Sequence, residues 1–281
     1  MRSPTAPWPR SRAADVRGRF PRVVRLGPIV TSHPTPPVDS ARPGGPVSAE
    51  LHREQRIRSF HPRKGRMSDA QRAALERMWK AYGIRVDGRD LLDLDAFFDA
   101  TAPGLPVVLE IGFGMGDATA TMAAADPSTG ILAVDVHTPG HGNLLRRIES
   151  DGLENVRLAE GDAVVLLRDQ LPPDSLAGLR IYFPDPWPKA RHHKRRLIQP
   201  GFLALATSRL RPGALVHCAT DWEPYAEQML EVLSASPELE NLHQDREPGY
   251  APRPDWRPVT KFERQGIAKG HVVHDLLFRR R

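Results

Sequence analysis

From Ile181 to Arg196 the chain reads I-Y-F-P-D-P-W-P-K-A-R-H-H-K-R-R. Pro184, Pro186 and Pro188 each fix φ and remove a backbone donor, so the stretch is stiff and Asp185 is aimed in one direction. A carboxylate held that way is preorganised for a ligand or for a developing positive charge. Directly downstream, Lys189, Arg191, Lys194, Arg195 and Arg196 with His192 and His193 form a positive segment suited to nucleic-acid phosphates. On charge alone, a solvated face accounts for the same residues. The adjacent histidines are not at metal-ligand spacing, and no metal is assigned.

A second chemical segment is P-V-V-L-E-I-G-F-G-M-G-D, with Glu110 at a strand end and Gly112, Gly114 and Gly116 in the turn before a helix that starts near Asp117. Glycines let a ligand approach the backbone closely. A dinucleotide fingerprint needs glycine where Asp117 stands, and a carboxylate there opposes a pyrophosphate on the helix N-terminus. Glu110 suits a cationic ligand instead, and S-adenosylmethionine, with a sulfonium, an α-ammonium and no phosphate, is the candidate. A tight turn with no ligand is the plain alternative. Asp135, some 20 residues after the turn, stands where an acid accepts both ribose hydroxyls. Asp162 has two compatible roles, accepting from the adenine amine or capping the next helix. Amino-directed methyltransferases commonly carry N/D-P-P-Y/F, whereas Asp185 is followed by one proline and Trp187, which argues against an exocyclic amine as acceptor.

Two later segments carry polar groups that packing does not require: T-D-W-E-P-Y-A from Thr220, and R-P-V-T-K-F-E-R from Arg257. Asp221 is also readable as a helix N-cap, and Lys261 with Glu263 as a surface ion-pair strip.

These residues must be positioned by an α/β frame. Ser68 with Gln71 makes a capping box for a helix to about Tyr82, with Gly83 as its stop. Strands are expected over 107–111, 131–136, 155–159, 179–183 and 214–219, near Leu239, and over 271–278, with helices between the first five. The pattern predicts one mostly parallel, seven-stranded sheet with helices on both faces, and Asp185 and Asp221 at its carboxyl edge, where ligands of such sheets bind.

Charge is unevenly distributed. The chain has 281 residues and net charge +6, yet residues 1–66 hold 14 of its 40 Lys and Arg against four acids, and 11 of its 28 prolines. That leader is +10 and the remainder −4. A Pro- and Arg-rich stretch buries too little apolar surface to fold, so residues 1–50 are expected to be a disordered basic leader and 51–281 the folded domain. A presequence, a solvated tail and a start codon placed too far upstream all remain open for it. No apolar run is long enough to span a membrane. A single cysteine, Cys218, excludes an intramolecular disulfide and fits a reducing, intracellular setting.

Taken together, L-E-I-G-F-G-M-G, F-P-D-P-W-P-K, R-H-x-K-R-R, T-D-W and T-K-F-E resemble the tRNA (guanine-N7-)-methyltransferases, over about Arg56 to Phe278. The resemblance implies a Rossmann-like class I methyltransferase fold and methyl transfer from S-adenosylmethionine to guanine N7 in tRNA, at guanine 46 of the variable loop. It implies that Glu110, Gly112, Gly114, Gly116, Asp135, Asp162 and Asp185 bind the donor, with Asp185 also the catalytic residue. It further implies that Lys189, Asp221, Thr260, Lys261, Phe262 and Glu263 hold the guanosine and that Arg191, His192, His193, Lys194, Arg195 and Arg196 meet the RNA. A cytoplasmic enzyme, monomer or homodimer, with tRNA as partner and no membrane association is the expectation. Asp135 where Glu is usual, and Gln265 where Arg is frequent, are the departures. The rivals are a methyltransferase with another acceptor and a non-catalytic RNA binder on the same scaffold.

Overall fold

The computed structural model describes residue 60, residues 65–98 and residues 104–281. The expected 1–50 leader lies outside the described residues. The first described helix, α1 (Asp69–Tyr82), begins as its sequence requires: Ser68 accepts from the Gln71 N–H, and the Gln71 side chain accepts from the Ser68 N–H. The chain then leaves as β1 (Gly83–Arg85), passes the short α2 (Leu94–Phe97) and enters β2 (Val107–Ile111). Alternation follows: α3 (Asp117–Ala125), β3 (Gly130–Asp135), α4 (Thr138–Asp151), β4 (Val156–Glu160), α5 (Ala163–Val165) running into a π turn over Leu166–Gln170, and β5 (Leu176–Tyr182). A 3-10 segment over Ala190–Arg195 precedes α6 (Pro200–Thr207), β6 (Leu210–Thr220), α7 (Glu223–Ser234), β7 (Leu239–Asn241), α8 (Lys261–Ile267) and β8 (His274–Arg280).

The strands form one sheet of eight in the order β1-β4-β3-β2-β5-β6-β8-β7. The pairings from β1 to β6 are parallel, and β8 is antiparallel to both β6 and β7. This is the expected Rossmann-like class, with eight strands rather than seven. The additional strand is β1, paired to β4 through Gly83, Ile84 and Arg85. Three residues are too few to show alternation, so Gly83 reads only as a helix stop. It does end α1, as an extended C-cap whose N–H donates to Trp79 O, and a Cβ there would lie 2.4 Å from the Trp79 ring.

Because successive side chains alternate, neighbouring strands split their residues between two faces. Leu109, Leu132, Val134, Leu179, Ile181, Val216 and Cys218 join the larger core. Ile131 and Ala133 join the smaller core beneath α1, α3 and α4. Both faces are therefore covered, as a mostly parallel sheet requires. The second face is not apolar throughout, since Glu110, Arg180 and His217 lie side by side on β2, β5 and β6 and are all buried.

Candidate active site

The parallel strands β4, β3, β2, β5 and β6 end at one edge of the sheet, and β8 begins there, with His274 opposite Thr220. The glycine turn, Asp135, Asp162, the Asp185 loop and Asp221 therefore all emerge at that edge, and α8 lies beside it, with Gly266 next to the Asp221 carboxylate.

At the β2 end, Gly112 and Gly114 have φ of +78° and +61°, and a Cβ on either would meet nothing within 4 Å. That open space is a cradle a ligand can enter. Gly116 differs: with φ +78°, its added Cβ would lie 2.7 Å from the Leu144 Cβ. Its lack of a side chain serves close packing of α3 on α4. Glu110 is buried, and its Oε2 has no hydrogen-bond partner among the described residues. Burial pushes this carboxyl up to about 7, with Arg180 on the adjacent strand opposing the rise. A buried carboxylate with one oxygen left without a hydrogen bond among the described residues, beside an open glycine turn, fits a cationic ligand.

Asp135 already organises this turn. Its Oδ2 accepts from the Gly114 N–H at 2.9 Å, and its Oδ1 accepts from Val136 and His137 at 2.7 and 3.0 Å. With about four acceptor positions on a carboxylate, room for a ribose hydroxyl remains. Asp162 is the N-cap of α5, accepting from the Val164 N–H at 2.8 Å through Oδ1. The capping role is thus present, and it leaves Oδ2 for a ligand.

The loop after β5 is held under backbone strain. Phe183 and Trp187, on either side of Asp185, have φ of +50° and +45°, a region that bulky residues rarely occupy. The loop is held there by defined contacts. The Phe183 N–H donates to Ala219 O at 2.7 Å, and Trp187 is buried with His192 edge-on and Arg195 5.0 Å over its ring. Arg196 was expected at an RNA surface, but it is 3% exposed. Its guanidinium donates to Pro186 O and Pro224 O, pairs with Gln228 and lies over Tyr225. It is a strut for the loop, while Lys189, Arg191 and Lys194 stay exposed and His193 is half-buried.

Asp221 is not a helix cap. Trp222 is the N-cap of α7, and Asp221 Oδ2 meets His271 Nδ1 at 3.0 Å in a half-exposed pair. Thr260 and Glu263 form the capping box of α8. Lys261 and Phe262 fall in its first turn, and their side chains lie outside the described residues. Glu263 is not part of a surface strip: it is 4% exposed, and both its oxygens are bound by Arg257, at 2.7 and 3.0 Å. Sequence reasoning missed what continues from there. Arg257 also grips Asp275 at 2.7 and 2.9 Å, Asp275 meets His217 Nε2 at 2.8 Å, and His217 Nδ1 meets the Tyr182 hydroxyl at 2.9 Å. Asp275 directly precedes the apolar run Leu276–Phe278 of β8, which is the one hint the sequence offers.

A family model described as "Putative methyltransferase" matches residues 105–276. A Streptomyces avermitilis protein named tRNA (guanine-N(7)-)-methyltransferase is 65% identical over 240 residues, covering 85% of this chain and 81% of that protein. One of the same name from Nitrosospira multiformis is 54% identical over 225 residues, covering 80% of this chain and 95% of its own. Among solved structures, the 16S rRNA methyltransferase KamB matches with TM-score 0.46 and 16% identity, over 68% of this chain and 95% of its own.

Proposed function

The chain belongs to the tRNA (guanine-N(7)-)-methyltransferase family, and from that premise we propose that it transfers the methyl group of S-adenosylmethionine to N7 of guanine 46 in the tRNA variable loop. The observation that carries the donor assignment is Glu110: a buried carboxylate whose Oε2 has no hydrogen-bond partner among the described residues, at an open glycine turn, which suits a cation better than a phosphate. S-adenosylmethionine supplies a methyl carbon made electrophilic by its sulfonium. Glu110 holds the cationic end, Gly112 and Gly114 admit the ligand to the backbone, and Asp135 and Asp162 receive the ribose hydroxyls and adenine amine through their remaining acceptor positions.

Guanine N7 has a lone pair and no proton, so the chain needs no general base. Its task is alignment, which replaces much of the entropic part of the barrier. Asp185, fixed between three prolines and two strained residues, favours the positive charge that moves onto the guanine ring. The same carboxylate accepts from the guanine N1–H and 2-amine, a donor pair that adenine lacks. Lys189, Asp221 and the first turn of α8, Thr260 to Glu263, border the guanosine, with Glu263 acting through its cap. Arg191, His192, His193, Lys194 and Arg195 face the RNA backbone, while Arg196 supports the loop.

The test is nucleoside analysis after incubation with unmodified tRNA and methyl-labelled S-adenosylmethionine. Label is expected in 7-methylguanosine and lost when guanine 46 is replaced by adenine. Asp185→Asn is expected to lower kcat by about 10²- to 10³-fold with donor affinity nearly kept. Label in another nucleoside, or unchanged turnover of the variant, sinks the corresponding part of the proposal.

A further inference from the structure

Beneath the candidate site a row of buried polar side chains crosses the second face of the sheet. Partner residues in register share a face, and the registers place Glu110 beside Arg180 and Arg180 beside His217. Tyr182, two residues after Arg180, and Asp275, two before Leu277 opposite His217, lie on that same face. Arg257 enters from the segment before α8 and ties the row to Glu263. Burial lowers the pKa of His217, so its neutral ring donates from Nε2 to Asp275 and accepts at Nδ1 from the Tyr182 hydroxyl. Asp275 is held below its ordinary value: burial alone would raise it, and the bonds from His217 and Arg257 outweigh that.

The row joins two segments more than seventy residues apart, the strained loop that carries Asp185 and the capping box of α8. Arg257 touches both ends directly: it is bidentate to Glu263, and its guanidinium lies 5.8 Å from the Phe183 ring centre and 6.0 Å from that of Tyr182. Apolar packing could fill the same volume at equal or better stability, because burying an ion pair costs desolvation that its attraction barely offsets. Packing would not fix orientation. A planar guanidinium bonded to two carboxylates through Nε, Nη1 and Nη2 does so, and a lysine ammonium cannot hold that double fork.

We infer that Arg257 is a positioning residue for the methyl transfer, setting the α8 cap and the Phe183–Trp187 loop in one fixed relation through Asp275, His217 and Tyr182. The inference deepens the proposed function and rests on it for its kinetic part only. In the full chain, Arg257→Lys keeps the charge and loses the fork, and Tyr182→Phe removes one hydroxyl at nearly constant volume. Hydrogen exchange without any ligand is expected to accelerate by about tenfold in 183–188, read at the Phe183 N–H that donates to Ala219 O, and in 260–267 for Arg257→Lys, and in 183–188 alone for Tyr182→Phe. With tRNA and S-adenosylmethionine, kcat is expected to fall by about 10²-fold for Arg257→Lys and several-fold for Tyr182→Phe, with the Kd of the donor changed by less than about twofold. Acceleration confined to 260–267 in Arg257→Lys, with kcat within about twofold of wild type, would reduce Arg257 to a local cap and overturn the inference. If Arg257→Lys does not fold, Tyr182→Phe decides: unchanged exchange in 183–188 and unchanged kcat overturn it. Should the wild-type chain form no 7-methylguanosine, the proposed function fails while the exchange measurement still decides the positioning role.

Discussion

Glu110 and Glu263 are equally buried, at 3% and 4% exposure, yet the molecule treats them in opposite ways. Glu263 has a guanidinium on both oxygens, one that Asp275 shares. Glu110 has an oxygen with no partner among the described residues and a carboxyl pushed up to about 7 by burial. The difference separates two uses of a buried carboxylate. One completes the fold; the other is left incomplete, at an edge where the glycine turn is open. An unsatisfied buried acceptor destabilises the fold, and it persists where a ligand is to supply the missing partner.

The sharpest way to break this comparison is to neutralise each carboxylate in turn. Glu263→Gln keeps the Arg257–Asp275 pair but sets an amide NH2 against a guanidinium N–H that loses its acceptor, and is expected to destabilise the fold by about 3 kcal/mol. Glu110→Gln removes a desolvated charge and is expected to be neutral or stabilising at pH 8. Urea unfolding of both variants checks this. Equal losses would mean that Glu110 is as fully paired as Glu263.

The next effect is pH-dependent. A carboxyl whose folded pKa lies above its unfolded value contributes stability that is complete below about 4.5 and lost as pH rises through about 7. Wild type should therefore lose on the order of 3 kcal/mol across that window relative to Glu110→Gln, less where water enters the site. Donor binding should run the other way. A cation binds the ionised form, so affinity for S-adenosylmethionine is expected to rise with pH to about 7 and then level off. Calorimetry in Glu110→Gln should show weaker binding and no such rise. A wild-type affinity flat from pH 5.5 to 8 would separate Glu110 from the donor.

Much of this was legible in the sequence for local reasons. Capping boxes are three-residue codes, so Ser68 with Gln71 could be read directly, and the apolar runs located the strands to within a few residues. The stiffness of the proline-framed loop was legible because proline acts on its own backbone, whereas the positive φ of Phe183 and Trp187 was not. What could not be read depends on register. His217, Arg257 and Asp275 look like ordinary surface polar residues until β5, β6 and β8 are aligned, and only then do they meet. Arg196 was expected at an RNA surface, and Glu263 was readable as part of a surface strip, for the same reason: charge was visible and burial was not. The three glycines of the turn likewise look equivalent, although one faces Leu144 and two face open space.

That last distinction gives a smaller test. Gly116→Ala combines positive φ with a 2.7 Å approach to a backbone-anchored Cβ and is expected to cost about 2–4 kcal/mol of stability. Gly114→Ala carries only the backbone penalty, about 1–2 kcal/mol, but places a methyl group in the ligand cradle and should weaken donor binding more than Gly116→Ala does. The reverse ranking would relocate the cradle.

The smallest effect divides the basic segment along the same line between fold and ligand. Arg191 and Lys194 are exposed, whereas Arg196 is buried under Tyr225 and bonded to Pro186 O. Each phosphate contact removed should flatten the dependence of log K on log salt by about 0.7–0.9. Arg191→Ala with Lys194→Ala is therefore expected to reduce the slope of tRNA binding by roughly 1.4–1.8, with the unfolding midpoint unchanged. Arg196→Ala should do the opposite, lowering the midpoint because Gln228 and two carbonyls lose their donor, while the slope stays that of wild type. A slope change in Arg196→Ala alone would place RNA against the buried strut. That outcome requires the loop to open on binding, in which case its strain is released on the tRNA rather than held for the transfer.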